Sequence, residues 1–170
     1  MAVLEITTIP DPVLRRKAQP VTRIDEDIRE LIDNMVETMR VAPGVGLAAP
    51  QVGVSQRVIV VEYTTNEEDE EAPKKLYMII NPEIKVLDDS TEMGIEGCLS
   101  LPGLLGEVDR VTKVSVKGLN HQGNPIKIKA DGWLARIFQH EIDHLDGIVF
   151  TDRASRIWKP GPDEEYVDNV

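Results

Sequence analysis

Two histidines stand four residues apart in the stretch FQHEIDHLDG at 138–147. In an α-helix each residue turns by about 100°, so His140 and His144 would project only about 40° apart, one turn along the axis. Their imidazole nitrogens can therefore reach a single cation. Glu141 lies beside them and can contact a water molecule at the same ion, and HExxH is a recognised spacing in zinc sites. The pattern predicts a metal site with a carboxylate placed for proton transfer.

The helix that carries this pattern is predicted over 131–147. Asp131 can cap its start, and Gly147 can end it in the left-handed conformation. The competing interpretation is a helix that bears two histidines by chance. An apolar helix does not bury two histidines and a glutamate without a partner, which favours metal binding. The helix is apolar on most sides, through Trp133, Leu134, Ile137, Phe138, Ile142 and Leu145.

A catalytic metal site commonly has three protein ligands and one open position. No histidine follows Gly147, and the acids beyond it lie mostly in the C-terminal tail. Cys98, the single cysteine of the chain, is the better candidate, within GIEGCLSLPG at 94–103. A lone buried cysteine is more often inert core, and that alternative stays open at this point. A thiolate with two imidazoles would suit Fe(II), Co(II), Ni(II) or Zn(II).

The elements that must position these residues begin with an amphipathic helix over 25–40. Its apolar residues recur at the spacing of one helix face, and three acids lie in its first turn. Short β-branched runs at 57–63 and 76–82 predict buried strands, and 84–89 and 95–101 predict further strands. These strands and the helix would form the scaffold upstream of the HExxH helix.

The segments 112–119 and 125–131 alternate apolar and polar residues on either side of NHQG, which predicts an antiparallel hairpin. No internal repeat or second domain is evident. The predicted fold class is α+β, with antiparallel β-sheets wrapped around a central HExxH-bearing helix and an N-terminal amphipathic helix.

Composition limits the classes of partner. The 170 residues carry a net charge of -11, which repels phosphate backbones and anionic membrane surfaces, so neither nucleic acid nor membrane is an expected partner. Much of the excess lies in an acidic loop at 66–71 and in the tail. No apolar run is long enough to span a bilayer, and the N-terminus does not read as a secretory signal. With a single cysteine, a reducing cytoplasm is the expected compartment.

Three motifs together resemble the signatures of the bacterial-type peptide deformylases: GVGLAAPQ at 44–51, EGCLS at 96–100 and QHEIDHLDG at 139–147. They occur in the family order, and the similarity runs from IPDPVLR at 9–15 to FTDRAS at 150–155. The resemblance implies a hydrolase that removes the formyl group from the N-terminal formylmethionine of new polypeptides and releases formate. It also implies one deformylase-like catalytic domain over 1–156 and a short acidic tail over 157–170.

The resemblance implies Cys98, His140 and His144 as ligands of one divalent ion. Fe(II) is the expected ion in the cell, and Ni(II), Co(II) or Zn(II) could occupy the site in a purified sample. Such an ion lowers the pKa of water to near neutrality. Glu141 would take the water proton and pass it to the leaving amine. The Gln51 side chain and the Leu99 backbone N–H would stabilise the developing oxyanion.

The same resemblance places the substrate peptide beside Val45, Gly46 and Gly97, whose backbones would hydrogen-bond it. Ile137 is the predicted wall of the methionine pocket, with core packing as the open alternative. Leu104 and Leu105 stand where certain relatives carry a basic residue, so peptide contacts there are not carried over. Some relatives dock on the ribosome through a long basic C-terminal helix. The acidic tail disfavours that mode here, so the resemblance implies at most a transient association with the ribosome.

Two other functions remain open from the residues alone. A zincin-type metalloprotease would take its third ligand downstream of the helix and leave Cys98 without a role. A non-catalytic metal-binding module would close its site with a fourth side chain, and Glu141 would then be a solvated surface acid.

Overall fold

Two α-helices, three short 3₁₀ helices (Pro12–Arg15, Ala49–Val52 and Phe150–Asp152) and a six-stranded sheet make up the regular structure of residues 2–162, the part of the chain that the computed structural model describes. The antiparallel sheet with two helices confirms the predicted α+β class. The helices are α1 (Glu26–Val41) and α2 (Gly132–Leu145). The strands are β1 (Gly46–Ala48), β2 (Val58–Thr64), β3 (Lys74–Cys98), β4 (Leu101–Leu119), β5 (Pro125–Asp131) and β6 (Arg156–Trp158).

The strands follow one another through the sheet in the order β1-β2-β3-β4-β5, and β6 pairs with β4. All of these pairings are antiparallel. The β4–β5 pair is the hairpin predicted around NHQG, with Leu119 opposite Pro125. Among the described strands β1 lies at one edge, with β2 as its neighbour on one side only.

Strand β2 lies between the two helices because its side chains alternate between two faces. Ile59 and Val61 belong to the apolar cluster that contains the residues of α2, whereas Val58 and Val60 belong to the cluster that contains the residues of α1. All four are fully buried. The apolar side chains of β2 therefore pack against α2 on one face of the strand and against α1 on the other.

Strand β3 is longer than the separate segments predicted at 76–82, 84–89 and 95–101. It runs from Lys74 to Cys98, with register shifts against β4 that include one between Ile80 and Glu83. Asn81 has a positive φ of 52° there, and Pro82 has no N–H to give to the ladder. The strand bends at such irregularities without ending. The predicted segment 95–101 is corrected, because β3 ends at Cys98 and β4 begins at Leu101 after a two-residue turn.

The two helices begin differently. The carboxylate of Asp25 accepts a hydrogen bond from the N–H of Ile28 at 3.1 Å, which caps α1. Asp131 occupies the N-cap position of α2, as predicted, but its side chain accepts no capping hydrogen bond. Asp131 is still paired with Lys113 in the sheet, and Gly132 turns the chain with a φ of +57°. Gly147, with a φ of +76°, is left-handed after α2, as predicted.

Strand β6 includes Ile157 and Trp158, which open the predicted tail, and it pairs with β4. Residues 163–170 of that tail lie outside the described residues, so the domain boundary at 156 stays a prediction. Within residues 2–162, neither helix has the length and apolar character needed to cross a membrane.

Candidate metal centre and active site

The three predicted ligands come from two elements that meet in the interior. Cys98 is the last residue of β3, and His140 and His144 lie on α2. One donor atom from each lies within 4.8 Å of the others. The Cys98 sulfur is 3.4 Å from Nε2 of His144, and all three side chains are buried. Residues separated by more than 40 positions in sequence thus converge on one point.

The unpaired polar atoms fit a metal ion at this point. Nε2 of His140 is buried and has no hydrogen-bond partner among the described residues. A buried polar nitrogen without a partner is costly, and a cation bound at the cluster would satisfy it. One thiolate and two imidazoles suit a first-row divalent ion. The donor set and its geometry therefore support a metal site built from Cys98, His140 and His144.

The other nitrogen of His140 is held by Glu96, a residue that sequence reasoning did not assign. Nδ1 of His140 lies 2.8 Å from Oε1 of Glu96, which is fully buried. This bond leaves Nε2 free for a metal. Metal-bound histidines are commonly oriented by a carboxylate in the same way. Glu96 stands in the quoted motif EGCLS, so the signal was a glutamate two residues before the candidate ligand.

Two buried arginines complete the surroundings of Glu96, and neither was predicted. Arg110 binds the Glu96 carboxylate through Nε and Nη2, both at 2.9 Å. Arg136 donates from Nη1 at 2.7 Å. Arg110 also pairs with Asp143 on α2 at 2.7 Å. The only sequence signal for Arg136 was a charged residue on a mostly apolar helix.

Burial and pairing shift the ionisation of this cluster in opposite directions. Burial raises the pKa of Glu96, but hydrogen bonds from Arg110 and His140 outweigh burial and hold that pKa well below its usual range. Burial lowers the pKa of His140, but the neighbouring Cys98 thiol and the hydrogen bond to Glu96 raise it to about 10. The pKa of His144 is well below 6.5, chiefly through burial. A metal ligand must be a neutral imidazole, so an ion bound through Nε2 of His140 requires that nitrogen to be deprotonated.

Glu141 is fully buried, and neither of its carboxylate oxygens has a hydrogen-bond partner among the described residues. Burial is the main cause that raises its pKa, to about 7. Its carboxylate is packed against the backbone of Gly46 in β1: a Cβ atom built on that glycine would stand 2.8 Å from Cδ of Glu141. A carboxyl group with a pKa near neutrality can both accept and donate a proton.

Gln51 is buried beside the metal cluster and is not the surface residue that its loop position would suggest. Its Oε1 accepts a hydrogen bond from the Ala48 N–H at 3.0 Å, which fixes the orientation of the amide. Its Nε2 donates to Sγ of Cys98 at 3.5 Å and to Oγ of Ser100 at 3.2 Å. Leu99 lies in the turn that directly follows Cys98. Both predicted oxyanion donors are therefore adjacent to the thiol.

The predicted substrate residues occupy different environments. Gly46 lies on the edge strand β1, and Gly97 pairs with Leu105 inside the β3–β4 ladder. The carbonyl of Val45 accepts a hydrogen bond from the Glu62 N–H at 2.9 Å. Ile137 is fully buried in the apolar cluster around α2, the environment expected of the core-packing alternative. Its role as a pocket wall stays a prediction.

Comparisons with known proteins agree with this site. The family model for polypeptide deformylase matches residues 3–159. A peptide deformylase of Halothermothrix orenii is 56% identical over 157 residues, covering 92% of this chain and 97% of that protein. One of Symbiobacterium thermophilum is 53% identical over 165 residues, covering 97% of this chain and 73% of that protein.

Solved structures agree as well. The crystal structure of peptide deformylase from Thermotoga maritima has a TM-score of 0.83 and 42% identity, covering 92% of this chain and all of that one (100%). Peptide deformylase from Ehrlichia chaffeensis in complex with actinonin also has a TM-score of 0.83, with 44% identity, covering 92% of this chain and 91% of that one. The matched residues include every residue of the metal cluster and its neighbours, and the chain belongs to the polypeptide deformylase family.

Proposed function

We propose that this protein is a metal-dependent hydrolase that removes the formyl group from the N-terminal formylmethionine of new polypeptides and releases formate. The observation that carries the proposal is the convergence of Cys98, His140 and His144 on one point, beside a buried Glu141 with no hydrogen-bond partner among residues 2–162. The family to which the chain belongs is the second support.

Cys98, His140 and His144 would hold one divalent ion, with Fe(II) as the proposed ion in the cell. Ni(II), Co(II) or Zn(II) would be accepted by the same donors. When bound, the ion would supply hydroxide at neutral pH and polarise the formyl carbonyl. Glu96 would fix the tautomer of His140, because Nδ1–H donates to its carboxylate and leaves Nε2 for the ion.

Glu141 would move the proton in this reaction. Its carboxylate would accept a proton from the attacking water and would then donate it to the amine that leaves with the peptide. The burial that raises its pKa to about 7 supports this role, because a group that titrates near the working pH is efficient in both directions. Its contact with Gly46 would hold the carboxylate in place.

Gln51 and Leu99 would stabilise the negative charge that develops on the formyl oxygen. The Gln51 amide is already oriented by its bond from Ala48, so its Nε2–H groups are directed towards Cys98 and Ser100. A donor fixed before the reaction costs no reorganisation when the charge appears. The N–H of Leu99 would be the second donor, from the turn after Cys98.

The substrate peptide would lie along the free edge of β1. Because Glu62 N–H donates to the Val45 carbonyl, Gly46 occupies the position opposite Val61 that makes no hydrogen bonds to β2. The N–H and C=O of Gly46 therefore point away from β2, as an added strand requires. Val45 and Gly97 would flank this peptide, and Ile137 would border the methionine side chain.

The two alternative functions fit the site less well. A zincin-type protease requires a ligand downstream of α2, yet the third donor near the histidines is Cys98, and Asp152 is engaged by Arg15. A closed, non-catalytic site requires a fourth protein ligand, and the metal cluster found among the described residues has three members. Glu141 is buried, whereas a spectator acid would be solvated.

The proposal has consequences for architecture and location. α2 would be the central helix, wrapped by the antiparallel sheet, with α1 as an amphipathic scaffold; the burial of its metal ligands supports this view. Residues 1–156 would form the catalytic domain. The enzyme would act in the bacterial cytoplasm on nascent chains, with at most a transient ribosome association and with no nucleic acid or membrane as a partner.

The test is formate release from formyl-Met-Ala-Ser by protein loaded with iron under anaerobic conditions. We expect formate in proportion to enzyme, no release of acetate from acetyl-Met-Ala-Ser, and no cleavage of casein. Cleavage of casein without formate release would instead establish the protease alternative. A protein that binds the ion but releases neither product would support the non-catalytic module.

A further inference from the structure

The carboxylate of Glu96 has every acceptor position filled. Oε1 receives Nδ1 of His140 at 2.8 Å and Nη2 of Arg110 at 2.9 Å. Oε2 receives Nε of Arg110 at 2.9 Å and Nη1 of Arg136 at 2.7 Å. A carboxylate accepts about four hydrogen bonds, so the loss of any one of these donors would leave an acceptor position of Glu96 unfilled. The orientation of this carboxylate is therefore set jointly by Arg110 and Arg136.

Arg136 differs from Arg110 in its place on the molecule. It lies on α2 one turn before His140, so Glu96 receives hydrogen bonds from two residues of the same helix. Two backbone carbonyls hold its guanidinium: Val108 accepts from Nη1 at 2.8 Å and Glu92 accepts from Nη2 at 2.7 Å. Trp133 covers one face, with its ring centroid 5.3 Å from Cζ.

Gly94 provides the space for this guanidinium. A Cβ atom built on Gly94 would stand 2.6 Å from Cζ of Arg136, closer than real Cβ atoms approach. Gly94, Glu96 and Cys98 alternate along β3, so in a regular strand they share one face. On that face Gly94 leaves space for the Arg136 guanidinium, Glu96 accepts a hydrogen bond from it, and Cys98 is the proposed metal ligand.

From this arrangement we propose that Arg136 is a positioning residue of the metal centre, which acts through Glu96. Its guanidinium joins the strand that ends in Cys98 to the helix that carries His140 and His144. The same guanidinium sets the plane of the carboxylate that orients the His140 ring. Arg136 thereby fixes the separation of the thiol from the imidazoles. A charge buried on an apolar helix is costly unless it is paired, and the bonds of Arg136 to Glu96 and to the Glu92 carbonyl both reach β3.

The inference rests on the proposed metal site and is tested with the cobalt-loaded protein. The readouts are the visible absorption of bound Co(II) and the rate at which a chelator removes the ion. Arg136→Met keeps an unbranched, flexible side chain and removes the charge and the donors. We expect about tenfold faster release of cobalt, as is typical when partners of metal ligands are lost, together with a changed spectrum. With formyl-Met-Ala-Ser, kcat should fall and KM should stay near the wild-type value.

Gly94→Ala is a second route to the same result, because it displaces the guanidinium without removing it. If Arg136→Met does not fold, Gly94→Ala still tests whether the position of the Arg136 guanidinium affects cobalt release. Arg29→Met is the matched control: Arg29 lies on α1, pairs with Glu26 at 2.8 Å and donates to the His121 carbonyl at 3.2 Å, and neither of these bonds involves Glu96. This control should release cobalt at the wild-type rate.

A double mutant separates positioning from general stability. If Arg136 acts through Glu96, Arg136→Met should add little to the release rate once Glu96→Gln is present. Full additivity in that background, or wild-type release from Arg136→Met, would overturn the inference alone. A wild-type chain that takes up no cobalt would overturn the proposed metal site, and this inference with it.

Discussion

The backbone of Gly46 packs directly against the carboxylate of Glu141, so that a side chain on this glycine would overlap the Glu141 carboxyl group. The contact joins the edge strand β1 to the helix α2. It places the proposed peptide-binding strand and the proposed proton carrier next to each other. A substrate paired with β1 would therefore lie beside the group that must protonate its leaving amine.

Gly46→Ala tests this contact. The added methyl group would stand 2.8 Å from Cδ of Glu141 and would force the carboxylate to move. Because a displacement of about 1 Å can cost about 10²-fold in rate, we expect kcat to fall by about that factor while metal content is unchanged. The measurement is steady-state formate release together with metal analysis.

Gly161→Ala is the control for that substitution, because no atom of residues 2–162 lies within 4 Å of the position that its Cβ would occupy. It should have wild-type kinetics. Wild-type turnover by Gly46→Ala would show that Glu141 does not depend on this contact.

Glu141→Gln tests the proton carrier itself. The amide keeps the shape of the side chain but cannot exchange a proton, so we expect kcat to fall by about 10²–10⁴ with the metal retained. Formate release and metal content are measured on the same preparation. Glu30→Gln, at an exposed position of α1, is the matched control. Turnover close to wild type in Glu141→Gln would assign proton transfer to another group.

The two helix starts provide a matched pair for stability. Asp25→Ala removes the hydrogen bond to the Ile28 N–H and should lower the free energy of unfolding by about 1 kcal/mol. Asp131→Ala removes a carboxylate that makes no capping bond, so its effect should be much smaller. Urea unfolding of the two variants and the wild type measures both values. Equal destabilisation would mean that the Asp25 cap is not what stabilises α1.

Stability of the activity in air should distinguish the iron-loaded protein from protein loaded with a substitute metal. A thiolate bound to iron is readily oxidised, so the iron-loaded protein should lose activity in air. The nickel-loaded protein, tested in parallel, should keep its activity much longer. Mass spectrometry should find oxidation at Cys98 in the inactivated sample. An iron-loaded preparation that is equally active after long exposure would contradict an oxidisable iron–thiolate site.

The sequence was sufficient to predict the metal cluster because helical spacing fixes the relation of His140 to His144. Cys98 was the better candidate for the third ligand because no histidine follows the helix and the chain has one cysteine, and the resemblance of three motifs to a known family then implied the full ligand set. The three side chains do lie together in the structure. Glu141 and Gln51 were also named in advance, and their burial is what the proposed roles require.

The residues around the ligands were not predicted, for a physical reason. In the sequence, Arg136 cannot be distinguished from a solvent-exposed polar residue of a helix. Its partners, the Glu96 carboxylate and the carbonyls of two strands, reach it only in the tertiary structure. The continuity of β3 was missed because Pro82 and the polar stretch after it resemble breaks, whereas the strand bends there and continues. Asp131 stands at the N-cap of α2, as expected, but its side chain makes no capping bond, and it also ends β5 opposite Lys113.

The account depends most on the claim that Cys98, His140 and His144 hold one ion, and X-ray absorption of the zinc-loaded protein measures this directly. We predict one sulfur at about 2.3 Å and nitrogens at about 2.0–2.1 Å, with the sulfur lost in Cys98→Ser. A wild-type coordination shell without sulfur, or a shell that keeps its sulfur in Cys98→Ser, would contradict the account.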